Sequence, residues 1–140
     1  MSFVVLILDD EPWQLSWVTD IVGQYGGSCT FVATFDDAKA AFLKIAPAIA
    51  IVDVRIGEAT GAAPGPALGS ADPTWVGLRF LRYVRVDLKS ASTCLMVYTG
   101  IDREDLQQIA ESYRARFFTK FESADFRRAL IAEFKKAQTR

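Results

Sequence analysis

Short apolar runs alternate along this chain with longer segments whose apolar residues recur every three or four positions. The short runs are Phe3–Leu8, Cys29–Ala33, Ala48–Val52, Thr93–Tyr98 and Ala115–Thr119. In the longer segments, Leu15, Val18, Val22 and Tyr25 fall at helical spacing, as do Ala38, Ala41, Phe42 and Ile45. The pattern returns with Gly77, Leu81, Val84 and Leu88, with Leu106, Ile109 and Tyr113, and with Phe126, Leu130 and Phe134. Five β-like runs alternating with five helical segments predict a doubly wound α/β fold around a five-stranded parallel sheet. Pro12 suits a first helical turn, and Asp36, Asp102 and Ser123 are the expected N-caps.

One stretch breaks this rhythm. Residues 57–74, GEATGAAPGPALGSADPT, hold four of the nine glycines and three of the five prolines. Composition makes this a loop, longer than an ordinary connection in the fold class. It begins soon after Asp53, so it is read either as a neutral surface insertion after the third strand or as a lid beside that residue.

At 140 residues the chain is expected to form one domain, 1–140, with one helix after Lys120 and no output domain within it, either as a whole regulator or as a domain excised from a larger protein. A net charge of −1 argues against nucleic-acid binding by bulk electrostatics. The N-terminal apolar run is too short to span a membrane and lacks the form of a signal peptide, so a cytoplasmic location is the default. Cys29 and Cys94 lie within apolar runs and read as buried reduced thiols rather than a disulfide or metal pair. The chain contains no histidine. That excludes Ser-His-Asp and Cys-His catalysis, imidazole zinc sites and a self-contained histidine phosphorelay. Carboxylates, hydroxyls, lysines or a bound ion must carry any chemistry.

The acids are placed to do so. Asp9 and Asp10 end the first run, Asp53 the third, Thr99 the fourth and Lys120 the fifth. In an open parallel sheet of order 2-1-3-4-5, right-handed crossovers bring all five to one edge, where ligands bind. Taken singly, each has a plain alternative as a solvated turn or cap. Together they suggest a half-site for Mg²⁺, which favours oxygen ligands and keeps several waters. A lysine and a hydroxyl opposite would stabilise an anion added to the central acid.

These residues resemble the receiver domain of two-component response regulators, over essentially the whole chain and with a flavodoxin/CheY-like fold. LILDDEP looks like the family's acidic first-strand motif, which would make Asp9 and Asp10 ligands of Mg²⁺. IVDVRI resembles the phosphoacceptor strand, with Asp53 as the phosphorylated carboxylate and the Arg55 backbone carbonyl on the metal. VYTG matches the strand end that supplies a hydroxyl, Thr99, to the phosphoryl oxygens. FFTKF resembles the fifth-strand motif, with Lys120 pairing with phosphate and Phe117 at the aromatic switch position. The resemblance implies a sensor histidine kinase or histidine phosphotransfer protein as donor and a downstream protein target. A homodimer is a further possibility, with neither nucleic acid nor membrane as a partner. Trp13 and Trp17, four apart, are placed as docking residues on the first helix, or else as packing against the site rim.

Three departures stand out. Phe121 occupies the position after the lysine where the family usually has proline with a cis bond, a geometry that costs about 2.5–4 kcal/mol before any other residue. The 57–74 insertion lengthens the loop beside Asp53, and Phe117 lacks the hydroxyl of the tyrosine often found there. Two rival readings accompany the receiver. A degenerate receiver would act as an interaction module without phosphorylation. A haloacid-dehalogenase-type phosphatase would need an acid two residues after Asp53, where the sequence has Arg55. A dinucleotide-binding domain lacks its Gly-rich turn here.

Overall fold

The computed structural model describes residues 2–54 and 75–139. The 57–74 insertion and Arg55 lie outside the described residues. Strands β1 (Val4–Leu8), β2 (Ser28–Val32), β3 (Ile49–Val52), β4 (Cys94–Thr99) and β5 (Ala115–Thr119) each fall within a residue or two of an apolar run. They form one parallel sheet in the order β2-β1-β3-β4-β5. The helices are α1 (Ser16–Gln24), α2 (Phe35–Ile45), α3 (Val76–Arg82), α4 (Glu104–Ser112) and α5 (Ser123–Gln138).

Alternation along each strand divides the apolar residues between two layers. Val5 and Ile7, Ile49 and Ile51, and Met96 pack with Leu15, Val18 and Val22 of the N-terminal segment and Phe126, Leu130 and Phe134 of α5. Leu6 and Leu8, Ala50 and Val52, and Leu95 and Val97 face α2, α3 and α4 through Phe42, Leu81 and Leu106. A continuous apolar run is what a strand needs when both faces are covered by helices. Truncating a side chain as enclosed as Leu6 or Ile51 to alanine costs about 2–5 kcal/mol.

Helix starts differ from the sequence expectation. Thr34, not Asp36, caps α2, its hydroxyl accepting from the Asp37 amide at 3.1 Å. Asp102 lies outside α4, whose cap position is Arg103; that guanidinium binds Asp105 at 2.7 Å instead. Ser123 opens α5 from within, because a 3₁₀ turn over Lys120–Glu122 comes first and Thr119 and Glu122 form its capping box. A 3₁₀ turn over Pro12–Leu15 likewise precedes α1. In each of the last two cases the chain begins to wind before the α-helix does.

Helix α3 ends in a π turn, Tyr83–Asp87. Arg85 from this turn donates to the carbonyls of Tyr113 at 2.8 Å, Ser90 at 2.9 Å and Arg114 at 3.3 Å, tying it to the α4–β5 connection. The two cysteines are free thiols and half-buried, and burial pushes Cys94 up to about 11, leaving it inert at neutral pH. Among the described residues no helix is long and apolar enough to cross a membrane.

Candidate functional site

The carboxyl ends of β1, β3, β4 and β5 meet at one edge of the sheet. Asp9 follows β1 and is held there by its amide, which donates to the Val32 carbonyl at 3.0 Å. Its side chain turns inward. Oδ1 accepts from the Glu11 amide at 2.9 Å, while Oδ2 is buried and has no hydrogen-bond partner among the described residues. Burial pushes the Asp9 carboxyl up to about 6; the Asp53 and Asp10 charges add to the rise, and the Glu11 amide and Lys120 oppose it. Asp10 itself is exposed.

Asp53 follows β3, its amide donating to the Leu8 carbonyl at 2.9 Å, so the first and third strand ends are locked together. Thr99, fully buried at the end of β4, donates from Oγ1 to Asp53 Oδ1 at 2.8 Å. The Thr99 hydroxyl in turn lies 3.4 Å from the Ile101 amide, which donates to it. Lys120 Nζ reaches Asp53 Oδ2 at 3.5 Å and Gln14 Oε1 at 2.7 Å. Asp53, Thr99 and Lys120 are thus in direct contact, and Asp9 lies within electrostatic reach of Asp53 and Lys120.

A buried carboxylate oxygen without a donor calls for a proton or a cation. Among the described residues no group of three or more acidic, cysteine or histidine side chains gathers tightly enough to hold a metal by itself. The orphaned Asp9 Oδ2, with Asp10 and Asp53 nearby in the field, fits a hard cation that keeps several waters rather than a fully caged one. The backbone carbonyl of Arg55, the remaining expected contributor, lies outside the described residues.

Phe117 is half-buried on β5 opposite Val97, packed against the layer beneath α4. Trp13 and Trp17 do not share a face as expected from their spacing. Trp13 sits in the 3₁₀ turn, 67% exposed, whereas Trp17 in α1 meets Phe126 of α5 edge-on at 6.0 Å. The tighter winding between them breaks the i, i+4 relation of a continuous α-helix. The Lys120–Phe121 peptide is trans, there being no cis bond among the described residues, and the Phe121 ring is 84% exposed.

Two contributors went unassigned in the sequence. Gly77, in the first turn of α3, donates its amide to the Val54 carbonyl at 2.9 Å. A Cβ there would stand 2.1 Å from the Asp53 carbonyl oxygen, so only glycine lets α3 close against the Asp53–Val54 segment. Its signal was a glycine on the apolar face of a helix, which costs helix stability without a compensating approach. Gln14 carried no comparable signal, because only the fold brings residues 14 and 120 together.

No protein-family model and no curated protein matches the sequence. Solved structures do. A signal receiver domain from Vibrio parahaemolyticus matches with a TM-score of 0.72 at 16% identity, over 99% of this chain and 95% of that one. The BeF₃-activated receiver domain of RstA from Klebsiella pneumoniae gives 0.67 at 14% identity, covering 94% and 97%. The chemotaxis protein CheY4 from Vibrio cholerae gives 0.64 at 19% identity, covering 86% and 88%. Nearly the whole chain superposes on these proteins, and the fold it adopts is that of a response-regulator receiver domain.

Proposed function

We propose that this chain is a phosphoacceptor receiver domain. It takes a phosphoryl group from a phosphohistidine on a sensor histidine kinase or histidine phosphotransfer protein onto Asp53. The N–P bond breaks with its electron pair left on the imidazole, and an O–P bond forms to an Asp53 carboxylate oxygen. The observation that carries the reading is the contact set on Asp53, a buried hydroxyl on one oxygen and an ammonium near the other. Phosphoryl transfer through a loose transition state demands alignment and charge neutralisation more than covalent help. Thr99 and Lys120 supply donors where phosphoryl charge would lie.

Asp9, Asp10, Asp53 and the Arg55 carbonyl would hold Mg²⁺, which supplies charge neutralisation on the opposite side. Modification replaces a carboxylate by a group with about one to two negative charges and more acceptors. Thr99 and Lys120 would then turn to it, and the half-buried Phe117 would move with the surface formed by α4, β5 and α5. That surface would meet the downstream target or a second copy of the chain. The role is signalling rather than turnover of a substrate, and a cytoplasmic setting follows from the donor.

Intact-protein mass spectrometry after incubation with acetyl phosphate and Mg²⁺ tests the reading. One phosphoryl mass is expected on the wild type, and none on Asp53→Asn or without metal. A folded, Mg²⁺-binding protein that gains no mass would instead favour a receiver used only for docking. The largely exposed Phe121 ring beside Lys120 is the feature that favours that alternative.

A further inference from the structure

Resting on the receiver reading, we infer that Gln14 is a positioning residue that holds the Lys120 ammonium at the mouth of the site. Lys120 Nζ lies 3.5 Å from Asp53 Oδ2, loose for an ion pair, but only 2.7 Å from Gln14 Oε1. An ammonium has three N–H donors, so it can serve both acceptors and still offer a third to an incoming anion.

The orientation of the Gln14 amide is set by its neighbours. Its Nε2 donates to Glu11 Oε1 at 3.2 Å, and its Oε1 accepts from Lys120. The carboxamide dipole therefore lies between a carboxylate and an ammonium, in the sense both charges favour. Glu11 in turn donates its amide to Asp9 Oδ1 at 2.9 Å. Contacts therefore run from Asp9 through the backbone and side chain of Glu11, Gln14 and Lys120 to Asp53, the last of them loose.

The Gln14–Lys120 contact links two 3₁₀ turns, Pro12–Leu15 and Lys120–Glu122, through two residues 106 apart in sequence. The Thr119–Glu122 capping box fixes the Lys120 backbone, and Gln14 fixes its head group. A lysine stem left alone samples many rotamers, and restraining it beforehand leaves less entropy to be lost when the phosphoryl group arrives. The bond is largely solvent-exposed, so its removal should barely change stability. Its effect is on where the ammonium waits.

The test uses Gln14→Met, which keeps side-chain length and loses both polar atoms, and Gln14→Glu, which keeps an acceptor toward Lys120. Three quantities are measured on the whole chain: amine-reagent labelling of Lys120, Mg²⁺ affinity, and beryllofluoride affinity in saturating Mg²⁺. In Q14M, Lys120 labelling should rise and beryllofluoride affinity should fall, each by about three- to fivefold, the effect of one exposed charge-assisted bond. Mg²⁺ affinity should stay within about twofold, because Gln14 acts on the lysine rather than on the acids. Q14E should return Lys120 labelling to the wild-type rate.

Unchanged Lys120 labelling in Q14M would overturn the inference, as would a freed lysine with unchanged beryllofluoride affinity. So would Mg²⁺ and beryllofluoride affinities falling in step, which would mean distortion of the acidic turn through Glu11. A wild type that binds Mg²⁺ but no beryllofluoride would sink the receiver reading instead, and the labelling result would still decide whether Gln14 holds Lys120.

Discussion

Strand β4 has a threonine just before its first residue and another as its last, both buried, and the two do different things. Thr93 donates from Oγ1 to the Pro47 carbonyl at 2.9 Å, satisfying a main-chain group where α2 leads into β3. Thr99 donates to the Asp53 carboxylate at 2.8 Å. The same hydroxyl therefore closes a loop at one edge of the sheet and prepares an ionisable group at the other. Among the described residues, the carboxyl-terminal edge keeps a buried oxygen of Asp9 without a donor and a lysine shared between two acceptors, whereas the Thr93 hydroxyl at the amino-terminal edge is spent on the main chain. What separates a site from a scaffold here is incomplete satisfaction, concentrated at the edge where parallel strands deliver their ends.

The largest effect expected is from Gly77→Val. Its branched side chain would be driven into the Asp53 and Val54 backbone, costing about 3 kcal/mol or more in denaturant unfolding and abolishing phosphoryl uptake. A near-wild-type midpoint would mean that α3 does not press on Asp53 as described.

Next comes the metal-free Asp9→Asn protein. The raised carboxyl of Asp9 favours the protonated form in the folded state. Its contribution to stability is therefore full below the unfolded value of 3.8 and lost as pH climbs through about 6. At pH 7–8, Asp9→Asn should stabilise the metal-free chain by about 2 kcal/mol, flatten its stability between pH 4 and 6, and weaken Mg²⁺ binding. Thermal melts across that range, with and without Mg²⁺, check all three.

The two threonines at the ends of β4 separate the edges by effect. Thr93→Val and Thr99→Val should each change stability by about 1–2 kcal/mol, the first by removing the buried bond to the Pro47 carbonyl and the second by removing the bond to Asp53 and the longer one from the Ile101 amide. Only Thr99→Val should alter phosphoryl uptake or lifetime, by about tenfold, as loss of a donor to the phosphoryl oxygens would. Equal effects on uptake would erase the distinction between the two edges. The smallest change is expected from Phe121→Ala, within about 0.5 kcal/mol of wild type in unfolding because the ring is mostly exposed.

Much of this was legible from apolar pattern alone. Doubly covered strands leave continuous apolar runs, and the acids, Thr99 and Lys120 stand directly at their ends, so the sheet and the contacts on Asp53 could be located without coordinates. The helix starts were less legible. Asp102 and Ser123 are chemically suitable caps, yet Arg103 occupies the cap position of α4 without a side-chain cap bond and a 3₁₀ turn precedes α5, through local geometry that composition does not encode. The four-residue spacing of Trp13 and Trp17 was read on one continuous α-helix, whereas Trp13 lies in a 3₁₀ turn and Trp17 in α1. Gly77 and Gln14 were missed because their partners, Asp53 and Lys120, are distant in sequence and meet only across the finished sheet edge.

If the acids, Thr99 and Lys120 form the site, ligands should perturb the carboxyl-terminal edge and leave the amino-terminal edge unmoved. The most direct measurement is a backbone amide NMR titration of the wild type with Mg²⁺ and then beryllofluoride. Large shifts are predicted at Asp9, Asp10, Asp53, Thr99, Gly100 and Lys120, with Thr93 and Ala48 at the opposite edge unmoved. Shifts centred on the amino-terminal edge, or none at the acids, would contradict the account.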